Sequence, residues 1–124
     1  MLDSGELTEK VIGAAMEVHK TLGPGLLESV YEECLDYELR ERGIAFARQV
    51  DLPISYKGVE LESGYRLDFV VGDEVVVEIK SVEHLNSLHE AQLLTYLRLS
   101  EKHVGLLINF GAALLKDGIL RRVV

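Results

Sequence analysis

The sequence predicts an α/β (α+β) fold, a mixed central sheet flanked by helices. Three observations lead there. The first forty residues hold two segments with apolar positions at helical spacing. Residues 46 to 80 break into strand-like runs separated by glycine turns. Val75 to Phe110 then runs strand, helix, strand, a parallel βαβ unit that should cross over right-handed.

Taken in order, the first helix is expected from about Ser4 to Leu22, with Val11, Ala14, Ala15, Val18 and Leu22 on one apolar face. Leu22-Gly23-Pro24-Gly25 breaks it. A second helix, from about Leu26 to Arg42, carries Leu27, Val30, Tyr31, Cys34, Leu35 and Leu39, and Gly43 closes it. Phe46 to Leu52 is a strand. Ile54 to Tyr56 and Val59 to Leu61 flank a tight turn at Lys57-Gly58. Tyr65 to Val71 and Val75 to Lys80 flank Gly72-Asp73-Glu74. A helix from about Asn86 to Ser100 follows, then a continuous apolar run, Val104 to Phe110, as in a buried strand. Leu114-Leu115 and Ile119 to Val124 flank Asp117-Gly118, a last hairpin signal.

The register of the central hairpin matters most. A two-residue loop, Gly72-Asp73, would mix polar and apolar residues on each face. A three-residue loop puts Leu67, Phe69 and Val71 on one face with Ile79, Val77 and Val75. It puts Arg66, Asp68 and Val70 on the other with Lys80, Glu78 and Val76. A one-residue slip exchanges faces, so burial selects the second register, which also brings Asp68 beside Glu78.

That juxtaposition carries chemistry. Asp68 and Glu78 supply hard oxygen ligands and the Ile79 carbonyl a third, suited to Mg²⁺ or Mn²⁺. Such an ion beside a phosphodiester lowers the pKa of a bound water and steadies the leaving oxygen. Lys80, two residues from Glu78, shares its face and can stabilise developing charge. A Glu-x-Lys pair on an exposed strand is more often a surface ion pair. Here the apolar flanks Val75-Val76-Val77 and Ile79 put the pair in a buried strand, where such groups are costly without partners.

His89, Gln92 and Tyr96 fall on one face of the following helix, against the same sheet end. For His89 alone, a polar helix face is the better reading. Gly25, Glu28 and Tyr31 form a Gly-x-x-Glu-x-x-Tyr string. Glu28 is either a first-turn carboxylate favoured by the helix dipole or a further acid at the metal. Tyr31 is expected to be partly core, and Cys34 an inert thiol.

The bulk numbers fit a single folded unit over all 124 residues. One cysteine precludes an intrachain disulfide and suits a reducing cytoplasm. No leader and no apolar run of ~18 residues is evident, so a membrane role is not expected. The net charge of −8 argues against a broad nucleic-acid-binding surface. No phosphate-cradling glycine loop, zinc spacing or nucleophile elbow is present.

The pieces Gly23-Pro24-Gly25-Leu26-Leu27-Glu28-Ser29-Val30-Tyr31, Gly64-Tyr65-Arg66-Leu67-Asp68, Val77-Glu78-Ile79-Lys80, His89-Glu90-Ala91-Gln92 with Tyr96, and Gly105-Leu106-Leu107-Ile108-Asn109-Phe110 together resemble the small prokaryotic GxxExxY proteins of the PD-(D/E)XK nuclease superfamily. The resemblance covers nearly the whole chain. It implies a restriction-endonuclease-like αβββαβ core and metal-dependent phosphodiester cleavage, with Asp68, Glu78 and Lys80 in the D…ExK roles. It implies that Glu28 is the acidic residue on the helix before the sheet and that Gln92 and Tyr96 form the Gln-x-x-x-Tyr helix motif. Tyr31, His89 and Arg66 are expected to support the site or the substrate. Leu67 stands where the superfamily's name has proline.

Two functional expectations follow, beside a purely structural α/β domain with a buried Glu78–Lys80 ion pair. One is a cytoplasmic Mg²⁺- or Mn²⁺-dependent nuclease acting on DNA, with a homodimer as its expected assembly. The other is a nuclease-fold binding or assembly module that needs a protein partner, which the acidic charge favours.

Overall fold

A computed structural model describes residues 4–124. Helices α1 (Gly5–Leu22) and α2 (Glu28–Glu41) come first, followed by strands β1 (Phe46–Leu52), β2 (Ser55–Tyr56), β3 (Val59–Glu60), β4 (Tyr65–Val71) and β5 (Val75–Lys80). Helix α3 (Ser87–Ser100), β6 (Val104–Asn109), a short 3-10 turn (Leu115–Gly118) and β7 (Ile119–Val123) complete the chain. The main sheet has the order β1-β4-β5-β6-β7, and only β5 and β6 run parallel. This is the expected α+β architecture with a mixed sheet between helices.

Each face of the sheet is covered by its own apolar cluster. Val11, Ala14, Ala15 and Val18 of α1 and Tyr31, Leu35 and Leu39 of α2 pack on Phe69, Val71, Val75, Val77 and Ile79. Leu93 and Leu97 of α3 pack on Leu67, Val70, Val76 and Leu107 on the other side. Strand β5 is buried from Val75 to Ile79 because both faces are covered.

Local chemistry fixes the ends. Gly43 (φ 68) closes α2 with the Gly43 amide donating to the Arg40 carbonyl and the Ile44 amide to that of Leu39, the paired bonds of a Schellman stop. Asn86 caps α3. Its side chain accepts from the His89 amide, and the Asn86 amide donates to His89 Nδ1, both at 3.1 Å. Lys57 and Gly58 both have positive φ, as the two-residue turn between β2 and β3 requires.

The β4–β5 register is the three-residue-loop register, with Val71 opposite Val75 and Phe69 opposite Val77. Two expectations are corrected. Leu67 does not share a face with Phe69: it packs beneath α3 with Val70 and Val76, because β4 rolls over at Asp68. The Asp117-Gly118 hairpin does not form either. Leu115 is drawn into the core, residues Leu115–Gly118 wind into a 3-10 turn, and β7 pairs with β6 instead. Gly118 is needed there, since a Cβ would stand 2.6 Å from the Asn109 carbonyl oxygen.

Candidate active site

The site begins where the regular β4–β5 ladder gives way to side chains. The Asp68 amide donates to Glu78 Oε2, and the Ile79 amide donates to Asp68 Oδ2, both at 2.8 Å. Each carboxylate therefore grips the other's strand through a charge-assisted bond. Among the described residues, none donates a hydrogen bond to Asp68 Oδ1 or Glu78 Oε1.

Burial makes this pair electrostatically uneasy. Glu78 is 8% exposed, and its carboxyl is pushed from 4.5 up to about 8, by burial first and by the Asp68 charge next. Asp68 is also raised, by burial above all, with Glu32 and Glu28 adding to it. The Ile79 amide and the Lys80 charge oppose that rise. One buried and one half-buried carboxylate, each with one oxygen that accepts no hydrogen bond from the described residues, fit a hard divalent cation, which would relieve the repulsion between them.

Lys80 ends β5 half-buried, and the Phe110 amide donates to its carbonyl at 2.8 Å. Glu78, Lys80, His89, Gln92 and Tyr96 line one crevice between β5 and α3. Tyr96 packs 5.4 Å from Tyr65, ring centre to ring centre. Its hydroxyl pKa is raised, by burial and then by Glu78, Tyr65 and Asp68. The Nδ1 of His89 accepts the Asn86 amide, so the neutral ring carries its proton on Nε2.

Glu28 opens α2 and is exposed. Among the described residues, no three His, Cys, Asp or Glu side chains converge to hold an ion, and Glu28 acts on Asp68 through its charge. The loop before it is tied down from two sides. Tyr31, fully buried and stacked on Phe110 at 4.6 Å, donates its hydroxyl to the Gly23 carbonyl and accepts the Leu26 amide. Ser81 Oγ, next to Lys80, donates to the Leu26 carbonyl at 2.6 Å. Tyr31 therefore works behind the site as an anchor. Arg66 lies on the exposed surface in an ion pair with Asp51.

Three residues that sequence reasoning passed over belong here. Glu32, one turn after Glu28, raises Asp68 more than Glu28 does. The helical spacing of four was the available signal. Gln49 bonds Glu32 from β1 at 2.9 Å. Asn109 is buried at the end of β6. Its side chain accepts the Val82 and Gly111 amides and donates to the Val82 carbonyl, clamping the chain just beyond Lys80.

Among the described residues, no helix is long and apolar enough to cross a membrane. No curated protein and no solved structure matches the chain. One family model does, over residues 5–123, spanning every element from α1 to β7 and both carboxylates of the site. The chain belongs to the PD-(D/E)XK nuclease superfamily.

Proposed function

We propose that the protein is a metal-dependent nuclease that hydrolyses phosphodiester bonds, with DNA as its substrate, and a GxxExxY member of the superfamily. The observation that carries this reading is the reciprocal Asp68–Glu78 arrangement: a half-buried and a buried carboxylate, both with raised pKa, fixed at one point by two amides.

Asp68 and Glu78, with the Ile79 carbonyl, would hold Mg²⁺ or Mn²⁺. The ion, when bound, would supply Lewis-acid polarisation of the phosphoryl group and lower the pKa of a water on it. Lys80, beside both carboxylates, neutralises charge that grows on the phosphoryl oxygens. Gln92 and Tyr96 form the α3 wall and orient the Lys80 side of the crevice, and His89 holds the start of that helix. Glu28 and Glu32 strengthen the negative field at Asp68 and so favour a cation there. Arg66, two residues from Asp68, would contribute to phosphate binding once released from Asp51.

The test is cleavage of single-stranded DNA, double-stranded DNA and RNA with Mg²⁺, Mn²⁺ or EDTA, beside Lys80→Ala. Metal-dependent cutting that the variant loses supports the enzyme. A second reading is a nuclease-fold module that acts only with a protein partner. The net charge of −8 favours it, as does the pairing of Arg48 with Glu32 and Asp36 and of Arg66 with Asp51. Mn²⁺ binding without cleavage would select this second reading.

A further inference from the structure

Strand β1 changes face halfway along. Phe46 packs against the cluster beneath α1 and α2, and Arg48 reaches Glu32 and Asp36 of α2. Val50, at the same alternation, packs instead with the cluster beneath α3, and Leu52 belongs to it. A regular strand keeps such residues on one face, so β1 rolls between Arg48 and Val50. The residue between them is Gln49, whose φ of 54° lies in the left-handed region that side-chain-bearing residues avoid.

Strand β4 rolls at the matching place. Phe69 faces α1 and α2, while Leu67 faces α3. The pairing sets Arg48 opposite Phe69 and Val50 opposite Leu67, so Gln49 and Asp68 meet across the strands where both turn over. The left-handed residue is also held. Gln49 Nε2 donates to Glu32 Oε1 at 2.9 Å, and the other oxygen of Glu32 accepts from Arg48 Nε.

We propose that Gln49 is a positioning residue: its left-handed backbone, locked by Glu32, rolls β1 and β4 together and so sets the Asp68 carboxylate against the Ile79 amide beside Glu78. The importance of that placement rests on the reading of Asp68 and Glu78 as the metal ligands. Gln49 touches no reacting group and acts through the backbone of Asp68. Strain of this kind persists where the surroundings over-determine it, and it concentrates at functional sites. A bulge that merely ends a strand needs neither a locking carboxylate nor an active-site acid opposite.

The test is amide hydrogen exchange by NMR on the full chain in EDTA, without substrate. In Gln49→Ala, which neither favours positive φ nor reaches Glu32, the Asp68 and Ile79 amides should exchange about tenfold faster or more, with Val76 and Leu107 unchanged. Gln49→Gly, which takes positive φ freely, should recover most of that protection. Glu32→Ala should shift the same two amides in the same direction. Mn²⁺ affinity, read by calorimetry, should fall about tenfold in Gln49→Ala.

Unchanged exchange at Asp68 and Ile79, or acceleration in step with Val76 and Leu107, would overturn the proposal. Should Gln49→Ala fail to fold, Glu32→Ala decides: wild-type exchange at both amides overturns it equally. Exchange needs no metal and no cleavage. A wild-type protein that neither binds Mn²⁺ nor cuts would sink the nuclease reading and leave this result standing.

Discussion

Asp68 and Glu78 each hold the other's strand, and Lys80 completes the group without being part of that exchange. Lys80→Ala should therefore lower cleavage by about 10²–10³-fold, the usual cost of one charge stabiliser, with little change in melting temperature. An equal loss of activity and folded protein would assign Lys80 a packing role instead. Tyr31 presents the opposite case. Tyr31→Phe keeps the stacked ring but strips the Gly23 carbonyl and the Leu26 amide of their partner, which should cost about 1–3 kcal/mol in urea unfolding. The motif made Tyr31 visible in the sequence, and its spacing from Glu28 suggested a place near the site. Its hydroxyl partners lie back in the loop before α2, where no periodicity points.

At the scale of elements, β1, β4 and β5 were legible to the residue, because strong turn signals bound them and their composition fits covered strands. Burial selected the hairpin register correctly, since a one-residue slip would have turned the core outward. The roll at Asp68 was not legible. Strict alternation predicts Leu67 beside Phe69, and only tertiary packing against α3 shows otherwise. Gln49 was hidden for the same reason, since glutamine carries no signal for a left-handed backbone. The 3-10 turn was misread because Asp-Gly marks hairpins and tight turns alike. The clamp from β6 to the chain after β5 depends on one buried side chain. Asn109→Ala would leave both polar groups of Val82 and the Gly111 amide without it. The expected cost is roughly 3 kcal/mol in urea unfolding, with a drop in cleavage, because Lys80 sits next to the loosened segment. A stable, fully active variant would show that the crossover holds itself.

Across the whole molecule, the carboxylate pair ties stability to pH. Below about pH 4.5, Glu78 is protonated in folded and unfolded chains alike, and its contribution is fully present. As pH rises, the unfolded chain ionises first, and stability falls until the folded carboxyl ionises near pH 8. The raised Asp68 adds to the same trend. Calorimetry in EDTA should show a melting temperature that declines across this window, by up to a few kcal/mol of stability. Glu78→Gln should flatten the decline and exceed the wild type at pH 8. A melting temperature that climbs through the window would contradict the burial of the pair. Mn²⁺ should raise the melting temperature more at pH 8 than at pH 5, because it binds the ionised form.

The sheet ends in two open strands, β1 and β7. An open strand offers a row of unpaired amides and carbonyls on which another chain can add. The roll at Gln49 breaks that row in the middle of β1, and Arg48 and Asp51 put charge on either side of the break. The irregularity that aims Asp68 thereby also opposes the pairing of two copies along β1. Gln49→Val, which favours a flat extended strand, should increase light scattering at high protein concentration. A short irregular stretch thus serves colloidal solubility as well as chemistry, and removing it to stabilise the strand would trade one hazard for another.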